Sequence, residues 1–204
     1  MSAHFPPLDL ELNVIETGVN VRQFTGQVEH RTMTQQWAAL QTFLANHHRR
    51  RLLIQELVTR DIREGRTILV VSDRLGLAEW LTQELQNNLP IADIGYLHGS
   101  LTQVKRALLW KSLGAGELRC LVATNIVDLA QVPLGGTFDT VHIATPPSIT
   151  RFANRINVLY RPKDPGHHAV IRYYLDDSPW LFGHLKRVEM RLYDTLTVVK
   201  GFNP

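Results

Sequence analysis

The hydrophobic pattern changes period several times along the chain, and each change marks an element. Pro6 and Pro7 give an irregular start, after which Leu8–Thr17 alternates well enough for one short strand. Gly18–Glu29 keeps no period and reads as a loop or connecting arm. Between Thr32 and Glu64 the spacing becomes helical, with Trp37, Leu40, Phe43 and Leu44 on one face. Asn46-His47-His48 interrupts that run, so a second helix follows, carrying Leu52, Leu53, Leu57, Val58 and Ile62. Gly65, just past the last periodic residue, is a helix stop.

Beyond Gly65 strands and helices alternate regularly. Thr67–Ser72 is a β-branched run suited to a strand buried on both faces. Leu77–Leu89 reads as a helix, Ile91–Leu97 as a strand, Gln103–Leu113 as a helix and Leu118–Thr124 as a strand. Phe138–Ala144 is a further strand, Ile149–Tyr160 a helix, Ala169–Leu175 a strand and Pro179–Val199 a final helix. Strands separated by helices of this length build βαβ units, hence an α/β fold with a mostly parallel sheet of five to six strands and helices on both faces. The pattern divides the chain into an N-terminal arm with a short strand, residues 1–31, and a main domain, residues 32–204, whose C-terminal helix covers 178–199.

Composition narrows the class. Forty-four per cent of the 204 residues are hydrophobic, enough to bury a core without staples. The single cysteine, Cys120, excludes an internal disulfide framework and fits a reducing cytosol; inside the apolar run Leu118–Thr124 it reads as a buried thiol. No apolar run approaches the roughly 20 residues of a membrane span, and Met1–Leu10 lacks the basic start of a signal peptide. A soluble cytoplasmic protein with no membrane partner is expected. Net charge is only +3, but the pI is about 9.2 and the positive residues cluster. His47-His48-Arg49-Arg50-Arg51 is the densest group, and Arg151, Arg155, Arg161 and Lys163 form another. Such patches suit a phosphate backbone, although Arg49–Arg51 alone reads equally well as a solvated helix face.

Ligands of open α/β sheets bind beyond the carboxyl ends of the strands. Leaving those ends are Ser72-Asp73-Arg74, Leu97-His98-Gly99-Ser100, Ala123-Thr124-Asn125, Thr145-Pro146-Pro147-Ser148 and Asp176-Asp177. Short hydroxyls and backbone donors at helix starts are what a phosphate backbone requires; Ser72, Thr124 and Ser148 read equally well as helix N-caps. No G-x-x-x-x-G-K-[ST] phosphate loop, G-x-G-x-x-G, H-E-x-x-H, G-x-S-x-G or cysteine pair occurs. The adjacent pairs His47-His48 and His167-His168 diverge on a helix or a strand, so no metal is expected.

From about Arg49 to Asp177 the order of segments resembles the second RecA-like domain of superfamily 2 helicases, particularly the phage and repair branch. Arg50-Arg51-Leu52-Leu53-Ile54 followed by Gly65-Arg66-Thr67-Ile68-Leu69-Val70-Val71-Ser72-Asp73-Arg74 matches that family's R-x-x-L-I helix and motif IV. Leu97-His98-Gly99-Ser100 matches its glycine turn, and Lys105, Arg106 and Lys111 the basic helix after it. Leu121-Val122-Ala123-Thr124 opens motif V. Asn154-Arg155-Ile156-Asn157-Val158-Leu159-Tyr160-Arg161 occupies motif VI. The resemblance implies a RecA-like three-layer fold and a nucleic-acid contact through Thr124. With the strand-end turns and the basic cluster, the candidate nucleic-acid residues are Ser72, Arg74, Gly99, Ser100, Thr124, Arg49 and Arg50. The resemblance also implies nucleic acid as partner, DNA in preference to RNA. A Walker-bearing helicase domain or another protein subunit would complete the assembly.

Two motifs depart from the family. After Thr124 the text runs Asp128-Leu129-Ala130-Gln131-Val132-Pro133, without motif V's glycine and acid. In motif VI asparagines stand at the Gln and Gly positions, and Val158 replaces the first arginine. An arginine finger contributes about 10³–10⁵ in rate in well-studied phosphoryl transfer, and valine supplies none of it. Arg161, and Arg155 from the preceding turn, remain as candidate fingers. Three readings stay open: a helicase motor half, a degenerate helicase module that binds without turning over ATP, and an α/β enzyme or interaction module sharing only the fold. In the first two the chain alone takes no cofactor; ATP and Mg²⁺ enter only with a partner RecA-like domain.

Overall fold

A computed structural model describes residues 9–21, 32–89, 94–124, 138–148, 152, 168–192 and 197–200. Its strands are β1 (Asp9–Asn20), β2 (Ile68–Ser72), β3 (Ile94–Leu97), β4 (Cys120–Thr124), β5 (Thr140–Ile143), β6 (His168–Asp177) and β7 (Thr197–Lys200). Its helices are α1 (Met33–Asn46), α2 (His48–Arg63), α3 (Leu75–Asn88), α4 (Gln103–Gly114) and α5 (Pro179–Leu192).

Local chemistry sets the helix ends. Thr32 and Gln35 form a reciprocal capping box at the start of α1. The interruption expected at Asn46–His48 is one extended residue, His47, with φ −70° and ψ 116°. There Arg51 donates from Nε to the Ala45 carbonyl (2.6 Å), a group that the end of α1 leaves open, and from Nη2 to the side-chain Oδ1 of Asn46 (2.7 Å). Helix α2 stops at Gly65, whose φ of +82° suits a residue without Cβ and whose N–H donates to the Ile62 carbonyl.

The strands form one sheet in the order β3-β4-β2-β5-β6-β1-β7, and every pairing is parallel. The register aligns Ser72 with Thr124, Leu97 with Ala123 and Val71 with Ile143, so four strands end level at one rim. Alternate side chains build two cores. Leu69, Val71, Leu121, Val141, Ile171 and Tyr173 pack with Leu181, Leu185 and Val188 of α5 and with Leu40 and Leu44 of α1. Ile68, Val70, Cys120 and Val122 face Ile54, Leu57 and Val58 of α2 and Leu77, Leu81 and Leu85 of α3. This is the three-layer α/β/α arrangement of a parallel sheet buried on both faces.

Three elements differ from the sequence reading. Among the described residues the sheet has seven strands, where about five to six were expected. The strand assigned to the N-terminal arm is twelve residues long and lies between β6 and β7. The last helix ends at Leu192, and Thr197–Lys200 pairs with Glu11–Val14 as β7. The reason is tertiary: Thr197-Val198-Val199 is β-branched, and the open edge of β1 supplies ladder partners that periodicity does not reveal. Of the expected helix Ile149–Tyr160 only Phe152 is described; it is buried, and its N–H donates to the Ser148 carbonyl.

Candidate nucleic-acid interface

The rim where β3, β4, β2 and β5 end carries most of the residues singled out by sequence. Thr124, half-buried, donates its hydroxyl to the Leu97 carbonyl at 3.5 Å, joining the ends of β4 and β3. Beyond Leu97 the turn is at the surface, with Gly99 and Ser100 exposed. Ser100 Oγ and His98 Nδ1 are 2.7 Å apart, His98 stacks on Tyr96 at 4.6 Å, and Arg106 donates from Nη2 to the Gly99 carbonyl. Burial, with the charge of Glu79, pushes the Tyr96 phenol up to about 12, so it stays a neutral donor.

Two of the candidate residues are built into the scaffold rather than offered to a ligand. Ser72 is buried, and its hydroxyl accepts the Arg74 N–H at 3.0 Å. Arg74 reaches across to α1, donating from Nη2 to the Ala38 carbonyl (2.7 Å) and to Gln41 Oε1 (3.0 Å). Gln41 then donates from Nε2 to the Pro146 carbonyl (2.8 Å), while the Asp73 N–H donates to Thr145 Oγ1 (2.7 Å). The exits of β2 and β5 are thereby locked together beneath α1. Sequence reasoning missed Gln41; the signal was a polar residue four positions after Trp37 on an otherwise apolar face.

The basic cluster is split three ways. Arg49 is exposed, its guanidinium about 3.4 Å from where a Cβ on Gly18 would sit. Arg51 lies over the Trp80 ring at 5.2 Å. Arg50, expected on a phosphate-binding face, is fully buried and corrects that expectation. Its Nε lies 3.0 Å from Asp176 Oδ1, its Nη1 donates to the Ala144 carbonyl at 2.6 Å, and Thr17 donates to Asp176 at 2.5 Å. A lone buried carboxylate would be costly, and Arg50 neutralises it. Arg155 and Arg161 lie outside the described residues, so no step of ATP chemistry is derived from them. Among the described residues no group of three His, Cys, Asp or Glu side chains could hold a metal ion, and no helix is long and apolar enough to cross a membrane.

A second buried group lies on the α2 side of the sheet. Arg172 binds both carboxylate oxygens of Asp61 at 2.5 Å; His142 Nε2 lies 2.8 Å from Asp61 Oδ2 and His142 Nδ1 lies 2.7 Å from the Tyr174 hydroxyl. An ionised Asp61 only accepts, so Nε2 carries the proton and Tyr174 donates to Nδ1. Burial drives His142 below its ordinary value against the pull of Asp61. Burial alone would raise Asp61, but hydrogen bonds from His142 and Arg172 outweigh it and hold the carboxyl well below the usual range.

No family model matches the chain. Over 59 residues it is 37% identical to the Lhr helicase/uracil glycosylase of Escherichia coli K12; the match spans 29% of this chain and 4% of that protein. Among solved structures, T4 UvsW superposes with a TM-score of 0.63 at 14% identity, covering 94% of this chain and 42% of that one. Domain 2 of the DEAD-box helicase Mss116p, bound to an RNA duplex, gives 0.62 at 15%, covering 95% and 65%. The C-terminal domain of the DEAD-box protein Dbp5 gives 0.59 at 19%, covering 76% and 85%. The fold is that of the C-terminal, second RecA-like domain of superfamily 2 helicases, the class that the strand-end motifs had indicated.

Proposed function

We propose that this chain is a helicase C-terminal-like module that holds a nucleic-acid backbone along the rim of its sheet. ATP turnover would require a Walker-bearing partner domain. The observation that carries the reading is the level rim of an all-parallel sheet on which Thr124, Gly99 and Ser100 lie together. Arg49 adds an exposed cation at the far side of the same rim. A phosphate backbone takes such neutral donors for position and cations for affinity. ATP and Mg²⁺ would sit between this domain and its partner, with Arg161 and Arg155 as the candidate fingers. Val158, where the family resemblance calls for the first arginine, favours a binding module over a motor half.

The test is a salt titration of binding to single- and double-stranded DNA and RNA, because phosphate contacts make affinity fall steeply with salt. Mss116p was solved on RNA, so the expected preference for DNA is read from the same assay. Thr124→Val and Arg49→Ala are expected to weaken binding, and Arg49→Ala to lower the salt slope by about one. No binding at low salt overturns the reading. Turnover by the purified chain that is lost in Arg161→Ala would contradict the need for a partner.

A further inference from the structure

Helix α4 packs on β3, the edge strand at one end of the described sheet, and it does so with one side only. Leu113 is buried, Leu109 and Trp110 pack against the same core, and Arg106 turns back to the Gly99 carbonyl. At about 100° per residue these four positions fall within a single arc of the helix. Val104 stands opposite Leu113, and Leu108 and Lys111 lie beside it, four and seven residues on. Ala107 and the C-cap residue Ala115 border the same stripe. Val104 is 70% and Leu108 58% exposed, and Ala107, Lys111 and Ala115 are exposed as well.

Folding gives no reason for this stripe. An exposed valine gains no burial and, being β-branched, forms helix less readily than glutamine or lysine would. From Val104 to Ala115 the stripe runs about 16 Å, or three turns, the span over which an amphipathic helix lays down its apolar face. Charge selects the occupant. Helix α4 contains no acidic residue; Lys111 stands within the stripe and Lys105 at its margin, both exposed. A second copy would press two lysine-bearing stripes together, which like charge opposes. A phosphate backbone would find no donor on the side chains of Val104, Ala107 or Leu108. We infer that the outer side of α4 docks an acidic amphipathic helix of another protein. Its apolar residues would cover Val104 and Leu108, and its carboxylates would meet Lys105 and Lys111. The inference goes beyond the nucleic-acid reading and does not depend on it, since Thr124, Gly99 and Ser100 take no part.

The experiment titrates the full chain with a helical peptide whose leucines, spaced i, i+4, i+7 and i+11, are flanked by glutamates. A counterpart with lysine in place of each glutamate serves as the control. The acidic peptide is expected to bind and to shift backbone amide resonances of α4, and the basic one to leave them unmoved. Val104→Gln/Leu108→Gln should weaken the acidic peptide about tenfold, because its apolar face loses its contact. Both positions are exposed, and circular dichroism checks that the variant folds. Lys105→Glu/Lys111→Glu should transfer the preference to the basic peptide, a reversal that lost folding cannot produce. Equal binding of the two peptides, binding of neither, or shifts centred away from α4 overturns the inference. Self-association of the unaltered chain that the glutamine variant abolishes would give the face to a second copy and overturn it too. If that variant weakens binding of DNA or RNA instead, the face serves nucleic acid, and the docking inference falls while the rim reading stands.

Discussion

Three consecutive arginines meet three different fates here. Arg49 faces solvent, Arg50 is sealed against Asp176, and Arg51 caps one helix while resting on Trp80. Nothing in their identity separates them; only the 100° step of a helix beside a particular sheet does. The buried histidine is a similar case with a pH consequence. Folded His142 resists a proton that the unfolded chain accepts near 6.5, and folded Asp61 keeps its charge where the unfolded carboxyl takes a proton near 3.8. Both pKa values are depressed, so both contributions are complete above about 6.5 and are withdrawn as pH falls. His142 acts first, and Asp61 near and below the ordinary carboxylate range. Urea midpoints should therefore decline from pH 7 to 5, and His142→Gln should flatten that decline. A midpoint constant over this span would contradict the neutral, Asp61-bound histidine.

At the scale of elements, polar side chains do the joining that hydrophobic pattern cannot show. Arg50 ties α2 to the ends of β5 and β6, and Gln41 ties α1 to Arg74 and Pro146. Removing one partner of a buried pair leaves the other charge stranded, at about 3–5 kcal/mol. Arg50→Ala should lose stability of that order in denaturant unfolding, whereas Arg49→Ala should stay within about 0.5 kcal/mol. Equal effects would place the two side chains in equivalent surroundings. The βαβ rhythm, the His47 break and the Gly65 stop were legible because period and backbone chemistry are local properties. The strand Thr197–Lys200 was not: its pattern prolongs that of α5, and only an edge nearly two hundred residues earlier in the chain selects the extended form. Likewise Thr124, Gly99 and Ser100 could be placed by sequence at strand ends. The burial of Ser72 and Arg50 depends on what α1 and β6 bring over them.

For the whole molecule, β1 is the decisive strand. It packs Leu10, Leu12 and Val14 into the core and pairs on both sides, with β6 and with β7. A chain beginning at residue 32, where the hydrophobic pattern suggests a domain start, would leave β7 without its partner and β6 with a bare edge. Such a fragment is expected to aggregate or to lose cooperative thermal unfolding, measured against residues 1–204. A fragment as stable as the full chain would show β1 to be dispensable. The same strand order has a consequence for synthesis. Thr17 meets Asp176 across 159 positions, so an emerging β1 finds its first neighbour only after most of the polypeptide has left the ribosome. Pairing across such separations is slow. Until then its apolar residues depend on chaperones or on transient local collapse, and a slow step late in refolding should belong to this strand.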